Sequence, residues 1–169
     1  MGEIVVKNIN EIETMHQNQH ERYEFFRHAV SGTGAAYREG EDGKMVVAFY
    51  TIPPGKSNFP YHYHTANEEV FYIISGSGVL ETPQGDREIG AGDVVICPTG
   101  ANGAHKITNS SATENLVYLD VDTNILPEIA IYPHTNKVGL RADGVREILD
   151  LGGKMDYYCG EEEQMKNEN

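Results

Sequence analysis

Two histidines one residue apart, His62 and His64 in "YHYH", precede paired glutamates, Glu68 and Glu69, at the head of the apolar run "VFYIIS". Side chains two apart on a strand point the same way, with Cα atoms about 6.6 Å apart, so both imidazoles can address one spot. Glu69 shares parity with Phe71 and Ile73, whereas Glu68 falls on the opposite face. With Phe71 and Ile73 turned to a core, Glu69 is turned there as well and Glu68 is solvated. An unpaired carboxylate in such a place is costly unless a cation neutralises it. Two neutral imidazoles and a carboxylate offer three ligands and match the facial arrangement that leaves positions open on a first-row metal. His105, which leads the predicted strand "AHKITN" on a face shared with Ile107 and Asn109, is the candidate fourth ligand. The expected cofactor is one divalent transition metal; iron, manganese, nickel and zinc all suit the donor set, and the sequence does not choose between them.

The elements that must position these residues are short strands. "KMVVAFYTI" (44–52), "EVFYIIS" (69–75), "GVLET" (78–82), "REIG" (87–90), "DVVIC" (93–97), "AHKITN" (104–109), "NLVYLDVD" (115–122) and "EIAIY" (128–132) are rich in Val, Ile, Tyr and Thr. Turn chemistry such as "PPGKSNFP", "SGSG", "TPQGD" and "PTGANG" separates them, and this pattern predicts an all-β sandwich or barrel. Before the barrel, residues 1–44 form an arm. Within it Tyr23, Phe26 and Val30 stand at helix-like steps that predict a short helix over 20–30, followed by a loop over 31–44. Residues 45–132 form the barrel, 133–155 a closing segment with one helical turn in "RADGVREILDLGGK", and 156–169 an acidic tail expected to be disordered.

The stretch "PGKSNFPYHYHTANEEVFYIISG" resembles the first motif of the cupin superfamily, G(x)5HxH(x)3–4E(x)6G, and "GDVVICPTGANGAHKITN" resembles the second, G(x)5PxG(x)2H(x)3N. Six residues lead from Glu69 to Gly76, so the motif and the strand parity select the same glutamate. From Gly92, five residues lead to Pro98 and then Gly100, and His105 stands four before Asn109. Two departures fall in loops: Gly55 stands six residues before His62, and four residues separate Gly100 from His105, the extra pair lying in "ANGA" next to the pocket mouth. The resemblance spans about residues 45 to 125. It implies a double-stranded β-helix, or jelly-roll barrel, with His62, His64, Glu69 and His105 as metal ligands. The family includes dioxygenases, decarboxylases, isomerases, epimerases and plain binding modules, so it implies no single activity.

Composition narrows the partners. With 26 acidic against 13 basic side chains and a net charge of -13, the chain has no Lys/Arg stripe to neutralise a row of phosphates, so nucleic acid is not an expected partner. No apolar stretch approaches the roughly 20 residues that span a bilayer, and "MGEIVVKNINEIE" does not read as a secretory signal, so a cytoplasmic protein is expected. Cys97 in "DVVICP" reads as a buried thiol and Cys159 as an exposed one, with no disulfide. His16 and His20, four apart, lie in a poorly patterned arm and are weak ligand candidates; His28 and His134 read as ordinary histidines. The outer face of one barrel strand, with Val70, Tyr72 and Ile74, is too apolar to leave wet and predicts a homodimer.

Two functions are compatible with these residues. One is a metal-dependent enzyme of dioxygenase or isomerase type, acting on a small polar metabolite inside the barrel; its catalytic acid or base is not identifiable. The other is a non-catalytic module that binds or senses a small ligand. For sugar phosphates in particular, no phosphate-gripping cluster exists among the motif residues, where only Lys56 and Lys106 lie near.

Overall fold

The structure, a computed structural model, describes residues 4–31, 43–142, 144–155 and 159. The expected loop over 31–44 and the expected tail over 156–169 therefore lie almost wholly outside the described residues. Thirteen strands make up the described chain: β1 (Met15–Gln19), β2 (Tyr23–Ser31), β3 (Met45–Ile52), β4 (Tyr63–His64), β5 (Glu69–Ser75), β6 (Ser77–Glu81), β7 (Arg87–Gly90), β8 (Val94–Cys97), β9 (Lys106–Asn109), β10 (Leu116–Thr123), β11 (Glu128–Tyr132), β12 (Lys137–Ala142) and β13 (Val145–Asp150). All the named pairings are antiparallel. They form a six-stranded sheet in the order β1-β2-β3-β10-β5-β8, a four-stranded sheet β13-β12-β11-β4 and a three-stranded sheet β7-β6-β9. The result is the expected all-β jelly-roll barrel.

Alternation along the strands builds the core. On β5, Phe71 and Ile73 are buried while Tyr72 and Ile74 are exposed; on β10, Leu116 and Tyr118 are completely buried. These pack with Ala48, Tyr50 and Ile52 of β3 and Leu80, Ile89 and Ile107 of the small sheet. Asn109, fully buried at the end of β9, donates its side-chain amide to the carbonyls of Ile52 and Glu114 at 2.8 Å each, tying three strand ends together. Gly76 links β5 to β6 with φ of +82°, and a Cβ there would lie 2.2 Å from the Asn115 carbonyl oxygen, so no other residue fits the turn.

Both ends depart from expectation. Residues 20–30 are not helical: β1 and β2 form a hairpin that extends the large sheet beside β3. The inward set on β2 is Phe25 and Arg27, and a buried arginine interrupts the apolar alternation that would have marked a strand. The helical turn expected in 141–154 is not found among its described residues, the closing segment's one 3-10 turn lying at Pro133–Thr135; β12 and β13 pair along six positions as a second terminal hairpin, laid beside β11. Cys97 is buried and Cys159 exposed, both free thiols, and burial pushes the Cys97 thiol up to about 12, assisted by the Glu69 charge.

Candidate metal centre

His62, Glu69 and His105 offer ligand atoms that all lie within 4.8 Å of one another, a group able to hold a metal ion. Three different segments deliver them, and the backbone locks two together. His62 and His105 face each other in an antiparallel bridge and exchange both main-chain hydrogen bonds, at 3.1 and 2.8 Å. Glu69 opens β5 on the face of Phe71 and Ile73, while Glu68 is solvent-exposed, as strand parity requires. The imidazole of His105 packs 5.3 Å from the Phe71 ring, and its Nε2 stands 3.3 Å from Glu69 Oε2.

His64 completes the set expected from the sequence, though not as a member of the tight group of three. Its Nε2 lies 3.4 Å from Glu69 Oε1, and its ring is 5.1 Å from that of His62. Its other nitrogen, Nδ1, is 3.2 Å from Glu128 Oε1. All three imidazoles are thus oriented by an acceptor at Nδ1: the Pro60 carbonyl for His62 at 2.8 Å, Glu128 for His64, and the Gly103 carbonyl for His105 at 2.9 Å. A carbonyl or carboxylate oxygen can only accept, so each Nδ1 carries a proton and Nε2 is the ring nitrogen turned toward the centre, protonated on His64 where it faces Glu69. Metal-binding histidines in proteins are held this way, and the donor set fits a first-row divalent ion.

The electrostatics agree with the geometry. Burial pulls the pKa of His62 down to about 4, against the attraction of Glu69, and keeps the ring neutral. Burial also opposes charge on His64, but hydrogen bonds to Glu128 and Glu69 and their negative charges outweigh it and lift the pKa to about 10. For Glu69, burial favours the neutral acid; the hydrogen bond from His64 and the charges of His105 and His64 override it and hold the carboxyl near about 2. Without metal, the centre is a compact ion pair in which a proton on His64 occupies the cation's role.

Glu128 was not among the residues singled out in the sequence. It is 1% exposed, at the start of β11, and accepts from His64 Nδ1, from the Thr65 and Ala66 backbone N–H groups at 3.0 and 3.1 Å, and from the Asn67 side chain. The parity argument that selects Glu69 would have found it, since Glu128 shares its face with Ala130 and Tyr132 in "EIAIY". The inserted "ANGA" loop also has a role. It forms a single 3-10 turn, Ala101–Gly103, whose Gly103 carbonyl orients His105; a Cβ on Gly103 would lie 1.7 Å from the Pro98 carbonyl oxygen.

The centre opens into a cavity of about 410 Å³ between the large sheet and the sheet of β11, β12 and β13. This is within the range of small-molecule sites. Asp120 and Asp122 of β10 line it, and one oxygen of each, Oδ1, is buried without a hydrogen-bond partner among the described residues. Burial raises both carboxyls, Asp122 to about 7 with Glu69's charge assisting, and Asp120 further, with Asp122's charge assisting. Other histidines stand apart from the centre. His16 stacks on Phe26 and pairs with Glu24, His28 bonds Thr14, and His134 stacks on Tyr61.

Comparison with known proteins agrees with the fold and the motifs. Residues 48–122 match the family model described as the cupin domain. A 63-residue stretch is 38% identical to an oxalate-binding protein of Thermotoga maritima; it is 37% of this chain and spans half the length of that relative. Among solved structures, a putative sugar phosphate isomerase from Acidithiobacillus ferrooxidans superposes with a TM-score of 0.73 and 26% identity, over 90% of this chain and 94% of that one. A predicted oxalate decarboxylase from Thermotoga maritima gives 0.59 and 27%, over 72% of this chain and all of the other. Residues 48–122 thus carry a cupin domain, set within the jelly-roll barrel.

Proposed function

We propose that the protein is a metal-dependent enzyme, of isomerase or dioxygenase type, that acts on a small polar metabolite in the 410 Å³ cavity. The observation that carries this reading is the orientation of three imidazoles, each tethered through Nδ1 so that its second nitrogen is turned toward Glu69. His62, His64, Glu69 and His105 are the proposed ligands. A bound divalent ion would supply Lewis-acid polarisation of a substrate carbonyl or hydroxyl, or, as ferrous iron, adjacent positions for substrate and dioxygen. Four protein ligands leave about two positions open on an octahedral ion, enough for a bidentate hydroxy acid or enediol.

The chain's own residues would do the rest. Glu128 fixes the His64 tautomer and, through two backbone N–H groups, the turn that delivers Glu69. Phe59 and Tyr132 flank His62, the first edge-on and the second stacked 5.6 Å away, restricting water around its ring. The orphaned oxygens of Asp120 and Asp122 can accept hydrogen bonds from substrate hydroxyls. The named activities of the similar proteins, a sugar phosphate isomerase and two oxalate proteins, all concern small anions, which supports a metabolite of that kind.

The exposed apolar face of β5 and β8 supports a homodimer. No helix among the described residues is long and apolar enough to cross a membrane. The alternative reading, a barrel that sequesters a small ligand without turnover, rests on the same centre. Metal content of protein purified without chelator, beside a His62→Ala, His64→Ala double variant, tests both at once. Near-stoichiometric metal in the wild type, lost in the variant, is expected; no metal in either, even after reconstitution, would overturn the metal reading. Conversion of any member of a hydroxy-acid and sugar-phosphate panel by the loaded protein then separates enzyme from module.

A further inference from the structure

The wall of the cavity opposite the large sheet carries two arginines in an unusual relation. Arg141 of β12 and Arg146 of β13 are direct cross-strand partners, and both line the cavity. Side chains so paired stand with Cβ atoms about 4.5–5.5 Å apart, and like charges in that position are unfavourable. Strand alternation assigns their face. Arg141 follows Gly139 by two, Arg146 precedes Ile148 by two, and Gly139 faces Ile148, Ala130 and Tyr132, all of which line the cavity. Glu147, paired with Leu140, alternates with the arginines along the hairpin and borders the same cavity, but makes no ion pair with either among the described residues.

Of the acids that share the cavity with them, Glu128 and Glu69 are otherwise engaged, and among the described residues Asp122 and Glu147 make no ion pair with either arginine. Glu128 is the cross-strand neighbour of Arg141, but its two oxygens already receive four donors, about the full capacity of a carboxylate. Glu69 belongs to the histidines. Arg141's charge reaches Asp122 and, with Arg146's, Tyr132, yet among the described residues neither arginine has a hydrogen bond or ion pair. Arg27, on the far sheet, lies over the Tyr50 ring and faces Asp120, so it belongs to that cluster. In a chain of net charge -13, two cross-strand arginines that line a ligand-sized cavity and make no ion pair among the described residues form a site for an anion.

We infer that Arg141 and Arg146 together grip the oxyanion, a phosphate or carboxylate group, of the substrate whose other end reaches the metal centre. This rests on the proposed function for the word substrate, but the oxyanion site stands on the arginine pair alone. Arg141 lies one strand from Glu128, and Glu128 touches His64, so the anionic and metal-facing ends of one small molecule fall within a single cavity. The motif residues hold no such cluster; the cation pair comes from the terminal hairpin.

The test uses full-length protein stripped of metal by chelator, titrated calorimetrically at low salt with inorganic phosphate in one arm and malonate in the other. Saturable binding of at least one of them, weakened tenfold or more in an Arg141→Gln, Arg146→Gln double variant, is expected, and the tighter arm names the oxyanion. The unfolding temperature of the double variant without added anion serves as its own baseline, and phosphate or malonate should raise the unfolding temperature of the wild type alone. No binding of either anion, or equal binding in the double variant, would overturn the inference. Metal loading of the double variant, measured in parallel, keeps the two readings apart. Arginine-dependent anion binding in a protein that takes up no metal would sustain the oxyanion site and remove the metal centre.

Discussion

His64 Nδ1 lies 3.2 Å from Glu128 Oε1, so a carboxylate from the last strand of the predicted barrel holds a ring from the HxH motif. Carboxylates placed behind metal-binding histidines fix the tautomer and raise ligand basicity, and their loss typically costs about 10–100-fold in metal affinity. Glu128→Gln is expected to weaken metal binding by that factor in a chelator competition. It should also lower stability by roughly 1–3 kcal/mol, since the Thr65 and Ala66 N–H groups lose part of their acceptor. Unchanged affinity would show that His64 is not a ligand.

Metal uptake should expel a proton. The pKa of His64 is raised from 6.5 to about 10 in the metal-free fold, so at pH 8 the ring carries a proton that a metal at Nε2 must displace. Calorimetric titration of metal in buffers of different ionisation enthalpy should report about one proton released at pH 8, declining as pH rises through 10. Zero release at pH 8 would contradict the expectation.

The same shift sets a stability profile. The folded pKa of His64 lies above its unfolded value, so the stabilisation from its ion pairs is fully present below pH 6.5 and is lost as pH rises toward about 10. Urea unfolding of chelated protein between pH 6.5 and 10 should show a decline that His64→Gln flattens. Parallel decline in both proteins would assign it elsewhere.

Gly103→Ala tests the inserted loop. A Cβ there would sit 1.7 Å from a main-chain oxygen, so Pro98 or the turn must move, and the carbonyl that orients His105 moves with it. Overpacking of this kind costs about 1–3 kcal/mol. A fall of several degrees in Tm, together with weaker metal binding, is expected; a fall in Tm with metal affinity intact would separate the loop from the centre.

On the outer face of β5 and β8, Tyr72 lies opposite Val94 and Val70 opposite Ile96, with Ile96 69% exposed. Sedimentation should find twice the 18.7 kDa chain mass at micromolar concentration, and Ile96→Lys should halve it. A monomeric wild type would refute the dimer.

The barrel and the placement of its candidate ligands were legible in the sequence because period-two alternation is strong there: Phe71, Ile73 and Glu69 share one face by simple counting, and the structure puts all three inside. The ends were not legible. In β2 the inward pair is Phe25 and Arg27, so an arginine interrupts the apolar alternation and Tyr23, Phe26 and Val30 mimic a helical step. In "RADGVREILDLGGK" the Asp-Gly pair at 143–144 is a hairpin signal that the helical reading overlooked. Arg141 and Arg146 became visible as a pair only once the register of that hairpin was known, because nothing in a linear sequence says that residues five apart will face each other across two strands.

The hairpin of β12 and β13 reaches the rest of the fold through one hydrogen-bonded seam, along β11. Every residue of the HxH, Glu69 and His105 constellation lies before it in the chain. On the proposed reading, the metal centre and the anion grip are therefore written in separable stretches of the gene. Grafting a different fourteen-residue hairpin (137–150) onto the same barrel would then change the anion it accepts while the histidine centre stays as it is.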